Sequence, residues 1–167
     1  MDAIEQLNSV KCTYLRDLAE PRDNSLKIVV EEAVLNKNRI ASSSSPIPEL
    51  QNLFADAHPI ESIEGCKVFE LYWKHYAAYC VTEELVGSNA QTGYDDESYE
   101  GKILRTYTKS HFLDHIQRDT GGHVDGIVQH YKLICLNHLI DIAAYEPPQV
   151  RLLGPITDLS TSEGQIR

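Results

Sequence analysis

His111 and His115, four residues apart with Asp114 between them, are the pair in this chain best spaced for metal chemistry. On a helix, positions i and i+4 share a face, so both imidazoles can reach one divalent transition metal. Asp114 would then serve as a third ligand or as the group that orients one ring. The segment His111-Phe112-Leu113-Asp114-His115 lacks the glutamate after the first histidine that acts as general base in zinc proteases. Two readings follow. In one, the segment is a metal site, of a metal-binding protein or a metal-dependent hydrolase. In the other, Phe112 and Ile116 dock a helix whose histidines lie at its wet edge.

Further histidines stand at His123, His130 and His138. His130 and His138 are eight residues apart and share a face if the strand between them is regular. A face that also held Arg105 and Glu70 would form a polar pocket; scattered surface and half-buried histidines are the alternative. Nucleophilic and nucleotide chemistry lack their signatures. No GxSxG elbow is present, Gly121-Gly122 is not followed by Lys-Ser/Thr, and no GxGxxG occurs. The four cysteines, Cys12, Cys66, Cys80 and Cys135, include no CxxC pair. Cys66, Cys80 and Cys135 sit in apolar, strand-like runs, where cysteine behaves as a small hydrophobe.

Charge is concentrated in one place. Residues 83–100 hold six acids and no Lys or Arg, so they carry six of the ten net negative charges of the 167-residue chain. Asp95, Asp96, Glu97 and Glu100 are the dense part. This run reads either as a solvated loop or as a docking loop for a basic protein partner, where concentrated charge raises the on-rate. Its carboxylates lack the alternating spacing of a calcium loop. An acidic chain repels phosphates, which argues against nucleic-acid partners, and no apolar run is long enough for a membrane span. Nine of the thirteen aromatic residues are tyrosine. Tyr72 and Tyr107, within strand-like runs, suit a binding face that is apolar on one side and wet on the other, although cross-strand packing also favours Tyr.

The elements that must carry these residues follow from periodicity. Apolar residues at Ile4, Leu7, Val10, Tyr14, Leu15 and Leu18 predict an amphipathic helix over residues 2–19, capped by Asp2 and ended before Pro21. Leu26, Ile28 and Val30 alternate as in a strand. Residues 41–48, Ala-Ser-Ser-Ser-Ser-Pro-Ile-Pro, read as a flexible loop rather than a domain boundary, and Ile60–Glu64 as a short strand. Cys66–Trp73 and Tyr76–Glu83 are strands, joined at Lys74-His75 either by a tight hairpin or by a bend in one continuous strand. Lys102–Lys109 is a strand. Ser110 caps a helix over His111–Asp119 that ends at Thr120-Gly121-Gly122. Tyr131–Ala144 is a long strand, either bent or broken near Asn137. The expected fold is α+β: an antiparallel curved sheet, a meander, with an N-terminal helix and one short helix between late strands. Residues 1–153 form one domain, and 154–167 are a fraying tail.

Four runs also carry a resemblance: Phe69–Trp73, Tyr76–Val81, Lys109–His115 and His130–His138. They resemble a group of small bacterial proteins without established activity, sometimes suspected of being immunity or accessory partners of toxins. The resemblance spans residues 66–145, implies a bacterial origin and brings no catalytic residues. The expectation is therefore a non-catalytic protein-binding module without a cofactor, contacting its partner through Asp95, Asp96, Glu97, Glu100, Tyr72 and Tyr107. The start of the chain lacks the basic and apolar segments of a secretory signal, which makes the expected location cytoplasmic. The rival expectation is the metal site of His111, His115 and Asp114. A pocket for a small molecule inside a curved sheet is a third. An unpaired edge strand or an exposed Tyr face would favour a homodimer.

Overall fold

The computed structural model describes residues 1–39, 57–88, 96–121 and 128–157. The loop expected at 41–48, Asp95, His123 and the tail from residue 158 lie outside the described residues. The chain begins with helix α1 (Ala3–Ser9), started by a capping box in which the Asp2 carboxylate accepts from Glu5 N at 2.8 Å and the Glu5 carboxylate from Asp2 N at 3.0 Å.

The helix expected to reach residue 19 stops at Ser9, and Cys12–Ala19 is strand β1. The misleading signal was a bulge. β1 pairs antiparallel with β2 (Leu26–Leu35), and its register slips between Leu15 and Asp17. One extra residue in a strand returns positions three apart to the same face. Leu15 therefore lies opposite Val30 and Leu18 opposite Ile28, and both leucines pack against the same core. A period of three, read as helical, came from an irregular strand.

Two antiparallel sheets follow. In the first, β2 lies between β1 and β4 (Lys67–Trp73), and β4 pairs on its other side with β10 (Gln149–Pro155). A two-residue strand, β3 (Ile60–Glu61), adds to the end of β2. The second sheet runs β5 (Tyr76–Glu83), β9 (His138–Ala144), β8 (Gln129–Ile134), β7 (Leu104–Lys109), β6 (Ser98–Glu100). The class is the expected antiparallel α+β, with its strands divided between two sheets. The Lys74-His75 hairpin does not form: β4 pairs with β2 and β10, while β5 pairs with β9. Those two residues carry the chain from one sheet to the other, which fits their lack of Gly or Asn. The long late strand breaks at Cys135–Asn137, giving β8 and β9 as paired neighbours. β6 and β10 had no sequence counterpart, and Gly154 and Pro155, expected to fray, end β10.

The facing sides of the sheets share one core. Ile28, Val30, Phe69, Leu71 and Trp73 of the first sheet meet Leu104, Tyr131, Leu133, Ile140 and Ile142 of the second. Alternation along each strand supplies these inward residues. A smaller cluster, Val29, Cys66, Val68 and Ile156, covers part of the outer face of the first sheet. α1 is tied to the second sheet through Asn8, whose Oδ1 accepts from the backbone N–H groups of Lys102, Ile103 and Leu104 at 2.9–3.0 Å. The tight turn there needs Gly101 at φ +91°, where a Cβ would lie 2.1 Å from the Leu104 carbonyl oxygen. A short helix α2 (Glu84–Ser88) follows β5, and α3 (His111–Asp119) lies between β7 and β8.

Candidate functional site

The pleat that sends Leu104, Tyr131, Leu133, Ile140 and Ile142 inward sends Arg105, Tyr107, His130, Lys132 and Asp141 to the outer face of the second sheet. These are cross-strand neighbours: Tyr107 pairs with His130, Arg105 with Lys132, and Lys132 with Asp141. They form the floor of a half-open cleft of about 1020 Å³. Its walls include Tyr99 of β6, His111, Phe112 and His115 of α3, and the Lys11–Thr13 start of β1.

α3 is fixed to this floor at its first turn. Ser110 is its N-cap, and its Oγ accepts from Leu113 N at 3.1 Å. The same oxygen lies 2.7 Å from His130 Nδ1, and His130 Nε2 lies 2.9 Å from Asp141 Oδ1. With the proton on Nε2, Ser110 donates to Nδ1 and the ring donates to Asp141, so all three are satisfied. Tyr107 stacks on the His130 ring with centroids 4.2 Å apart, and Phe112 approaches it at 5.0 Å. Lys132 Nζ also reaches Asp141, at 3.2 Å. Burial works to raise the Asp141 pKa, but the His130 hydrogen bond and the Lys132 charge outweigh it and hold the carboxyl below its usual range. Burial raises the Tyr107 phenol, against the opposing effect of the Arg105 guanidinium beside it.

Serine, histidine and aspartate in sequence contact suggest a nucleophilic triad, but the placement is structural. Ser110 and His130 are 6% and 1% exposed, and Ser110 does not border the cleft. Its oxygen already serves a helix cap. The network's role is to lock α3 onto the sheet.

No protein-family model, curated protein or solved structure matches this chain. Its chemistry is read from its side chains alone. No described helix is long and apolar enough to cross a membrane.

The expected metal set is placed on α3 as a helix demands, but apart from a contact between His111 and Asp114 its histidines pair with carboxylates outside the set. His111 Nε2 lies 2.6 Å from Asp96 Oδ1, its Nδ1 is 3.9 Å from Asp114, and His115 Nε2 is 3.4 Å from Asp119. Among the described residues, no group of three or more His, Cys, Asp or Glu side chains is disposed to hold a metal ion. Two described acids of the acidic segment are tied to the start of α3. Asp96 bonds Lys109 as well as His111, and Glu97 accepts from His111 N at 2.8 Å. The Lys109 bond, then the His111 bond, lowers the Asp96 carboxyl to about 2. Glu100 is exposed on β6. Glu97 and Tyr107 thus meet at the cleft, whereas Tyr72 lies on the outer face of the first sheet, opposite Lys27 and Gln149.

The pocket expected from His138, Arg105 and Glu70 does not assemble. Glu70 pairs with Arg151 on the first sheet at 2.6 Å. His138 alternates with Leu139 and Asp141, so the break before β9 puts it on the face opposite His130. Two of the cysteines are buried as expected, Cys66 and Cys135, and burial lifts the Cys135 thiol to about 11. Cys80 is exposed instead, because β5 is the edge of its sheet. Sequence reasoning missed Lys132, Tyr99 and the Ser110–His130–Asp141 chain. The available signal was a polar residue at every second position of otherwise apolar strands: Arg105 and Tyr107, His130 and Lys132, and Asp141.

Proposed function

We propose that the protein is a non-catalytic binding protein whose recognition site is the cleft over the second sheet. The observation that carries this reading is the fixed, mostly satisfied polar floor beneath an open volume of about 1020 Å³. Ligand sites are typically concave, preformed, aromatic-lined and equipped with a few placed polar groups. Here Tyr99, Tyr107 and Phe112 supply the aromatic surface, and the hydrogen bonds from Ser110 to Asp141 hold it in shape. A ligand entering the cleft has more support than a basic protein docking on the 83–100 segment. Asp96 and Glu97 are already engaged in holding the start of α3, Asp96 by ion pairs with Lys109 and His111.

The test compares the wild-type chain with Leu136→Trp, a substitution at an exposed position that borders the cleft. Both are screened by thermal unfolding against a panel of small metabolites. A ligand at 100 times its Kd stabilises by about 2.7 kcal/mol, raising Tm by roughly 5–10 °C in a chain of this size. The expected result is a set of compounds that stabilise the wild type and not Leu136→Trp, and that mass spectrometry recovers unchanged. Equal stabilisation of both proteins would remove the cleft as the site. Conversion of a hit to product would remove the non-catalytic role.

A further inference from the structure

One side chain in the cleft lacks the partners its neighbours have. Lys132 bonds Asp141, and His130 bonds Ser110 and Asp141. Arg105 sits beside them, in contact with the Tyr107 hydroxyl but with its Nε buried and without a hydrogen-bond partner. Its guanidinium lies over the Tyr99 ring, 4.3 Å from the centroid, and among the described residues no carboxylate pairs with it. A buried, unmatched donor on a permanent cation is unfavourable. Among the described residues the other unmatched buried groups are Ser62 Oγ, Trp73 Nε1 and His138 Nδ1, and of the four only Arg105 lines the cleft, where an anionic ligand would complete it. Stacking on Tyr99 also fixes the plane of the guanidinium, so that its remaining N–H groups present a fork rather than a mobile charge.

Three cations and three acids border the cleft, so it is the pairing that favours an anion: Lys132 and Asp141 neutralise each other, whereas among the described residues Arg105 has no carboxylate. Lys132 occupies the cross-strand position next to Arg105, and Lys11 stands at the rim. Of the three acids there, Asp141 accepts from His130 and Lys132, and Glu97 accepts from the backbone of His111. The third, Glu84, is at the start of α2. Apolar side chains line the remainder: Phe112, Ile134, Leu136 and Leu139.

We propose that the cleft binds a small molecule with an anionic head, a phosphate or a carboxylate, held bidentately by Arg105, and a flat apolar body lying against Phe112 and Leu139. This rests on the cleft being the binding site and adds the class of ligand.

Calorimetry with four probes tests it: 1-naphthyl phosphate, 1-naphthoate, the neutral 1-naphthol, and inorganic phosphate. The expected result is binding of one or both naphthyl anions, with 1-naphthol weaker by about ten-fold or more, the usual weight of charge-assisted hydrogen bonds. The tighter of the two anions identifies the head group, and inorganic phosphate alone binds more weakly for want of the apolar contact. Arg105→Gln loses the preference for the anions over 1-naphthol. Arg105→Lys, which keeps the charge without the fork, recovers part of it. Thermal unfolding of each variant separates loss of binding from loss of fold. Anions binding no tighter than 1-naphthol, or equally well to Arg105→Gln, would overturn the anion site while leaving the cleft as a binding site. Binding of none of the four would also overturn it, and the cleft reading would then stand or fall on the Leu136→Trp comparison.

Discussion

The two sheets share a core but differ on the faces turned away from it. Ion pairs on the outer face of the first sheet lie at the surface: Arg151 with Glu70, and Lys27 with Asp17 at 3.1 Å. Between them Val29 and Val68 belong to a small apolar cluster closed by Cys66 and Ile156. The second sheet places His130, Asp141, Tyr107 and Arg105 on its outer face, with His130 and Tyr107 buried and the Asp141 carboxylate and the Arg105 Nε largely withdrawn from solvent. Buried polar groups are unfavourable unless matched, so a fold under selection for stability alone has little reason to keep them. The first sheet is built as support. The second carries the cleft proposed as the binding site.

The largest effect should come from the core the sheets share, which breaks both at once. Phe69 is 0% exposed within it. Phe69→Ala should cost about 3–5 kcal/mol, a large part of the roughly 5–15 kcal/mol that holds a domain together. Urea unfolding would read this as a lower midpoint. Should Phe69→Ala cost less than a substitution in the outer network, the outer network and not the shared core would be the main source of stability.

Next in size is Asp141→Ala, which disturbs the second sheet alone. It leaves the nearly buried His130 Nε2 and the half-buried Lys132 amine without their acceptor. Breaking a buried pair on one side costs about 3 kcal/mol or somewhat less where water can reach. The pH dependence has a definite sign. A carboxyl held below its unfolded value of about 3.9 contributes stability above that value, and the contribution fades as pH falls through the folded pKa. Unfolding at pH 7 and at pH 3 should therefore show a smaller gap between wild type and Asp141→Ala at pH 3. An equal gap at both would mean that packing, not the charge, is what Asp141 contributes.

The contrast between faces also explains what could be read from the sequence. Apolar alternation in Leu26–Val30 and Cys66–Trp73 marked the core strands because burial imposes a period of two on any sheet with one dry side. The Ser110 cap and the helix after it were legible because a cap is a local hydrogen bond. β1 was not, because the bulge at Arg16 gave Leu15 and Leu18 a helical spacing. β6 and β10 escaped because an edge strand with one neighbour keeps little of the apolar pattern. The site was half legible. Tyr107 was placed on a strand as a binding residue, and Arg105 in a polar pocket, but the pocket's other members depend on register. A sequence cannot show that Lys132 stands beside Arg105, nor that the break at Asn137 turns His138 away from His130. The acidic run was visible as charge, but the engagement of Asp96 and Glu97 by Lys109 and His111 is a tertiary fact.

The smallest effects should separate the two faces most clearly, because they compare one arginine with another. Arg151 lies over the first sheet with 67% of its side chain exposed and donates through both Nε and Nη2 to Glu70. With Arg151 exposed and Glu70 at 16% side-chain exposure, the pair contributes about 1 kcal/mol, and Arg151→Ala should lower stability by about that amount. Arg105 carries a different expectation. Its Nε is already unmatched, so Arg105→Met removes a buried donor along with a charge and keeps an apolar stem against Tyr99. Deleting the unmatched Nε is favourable and losing the Arg105 contact to the buried Tyr107 hydroxyl is unfavourable, so the net change should lie within about 1 kcal/mol of zero. Paired denaturation curves can resolve the sign even at this size. A clear loss of stability in Arg105→Met would place Arg105 with the supporting residues of the first sheet, held for its contact with Tyr99. A gain would mark it as a residue retained against stability, which is the signature of a group kept for its ligand.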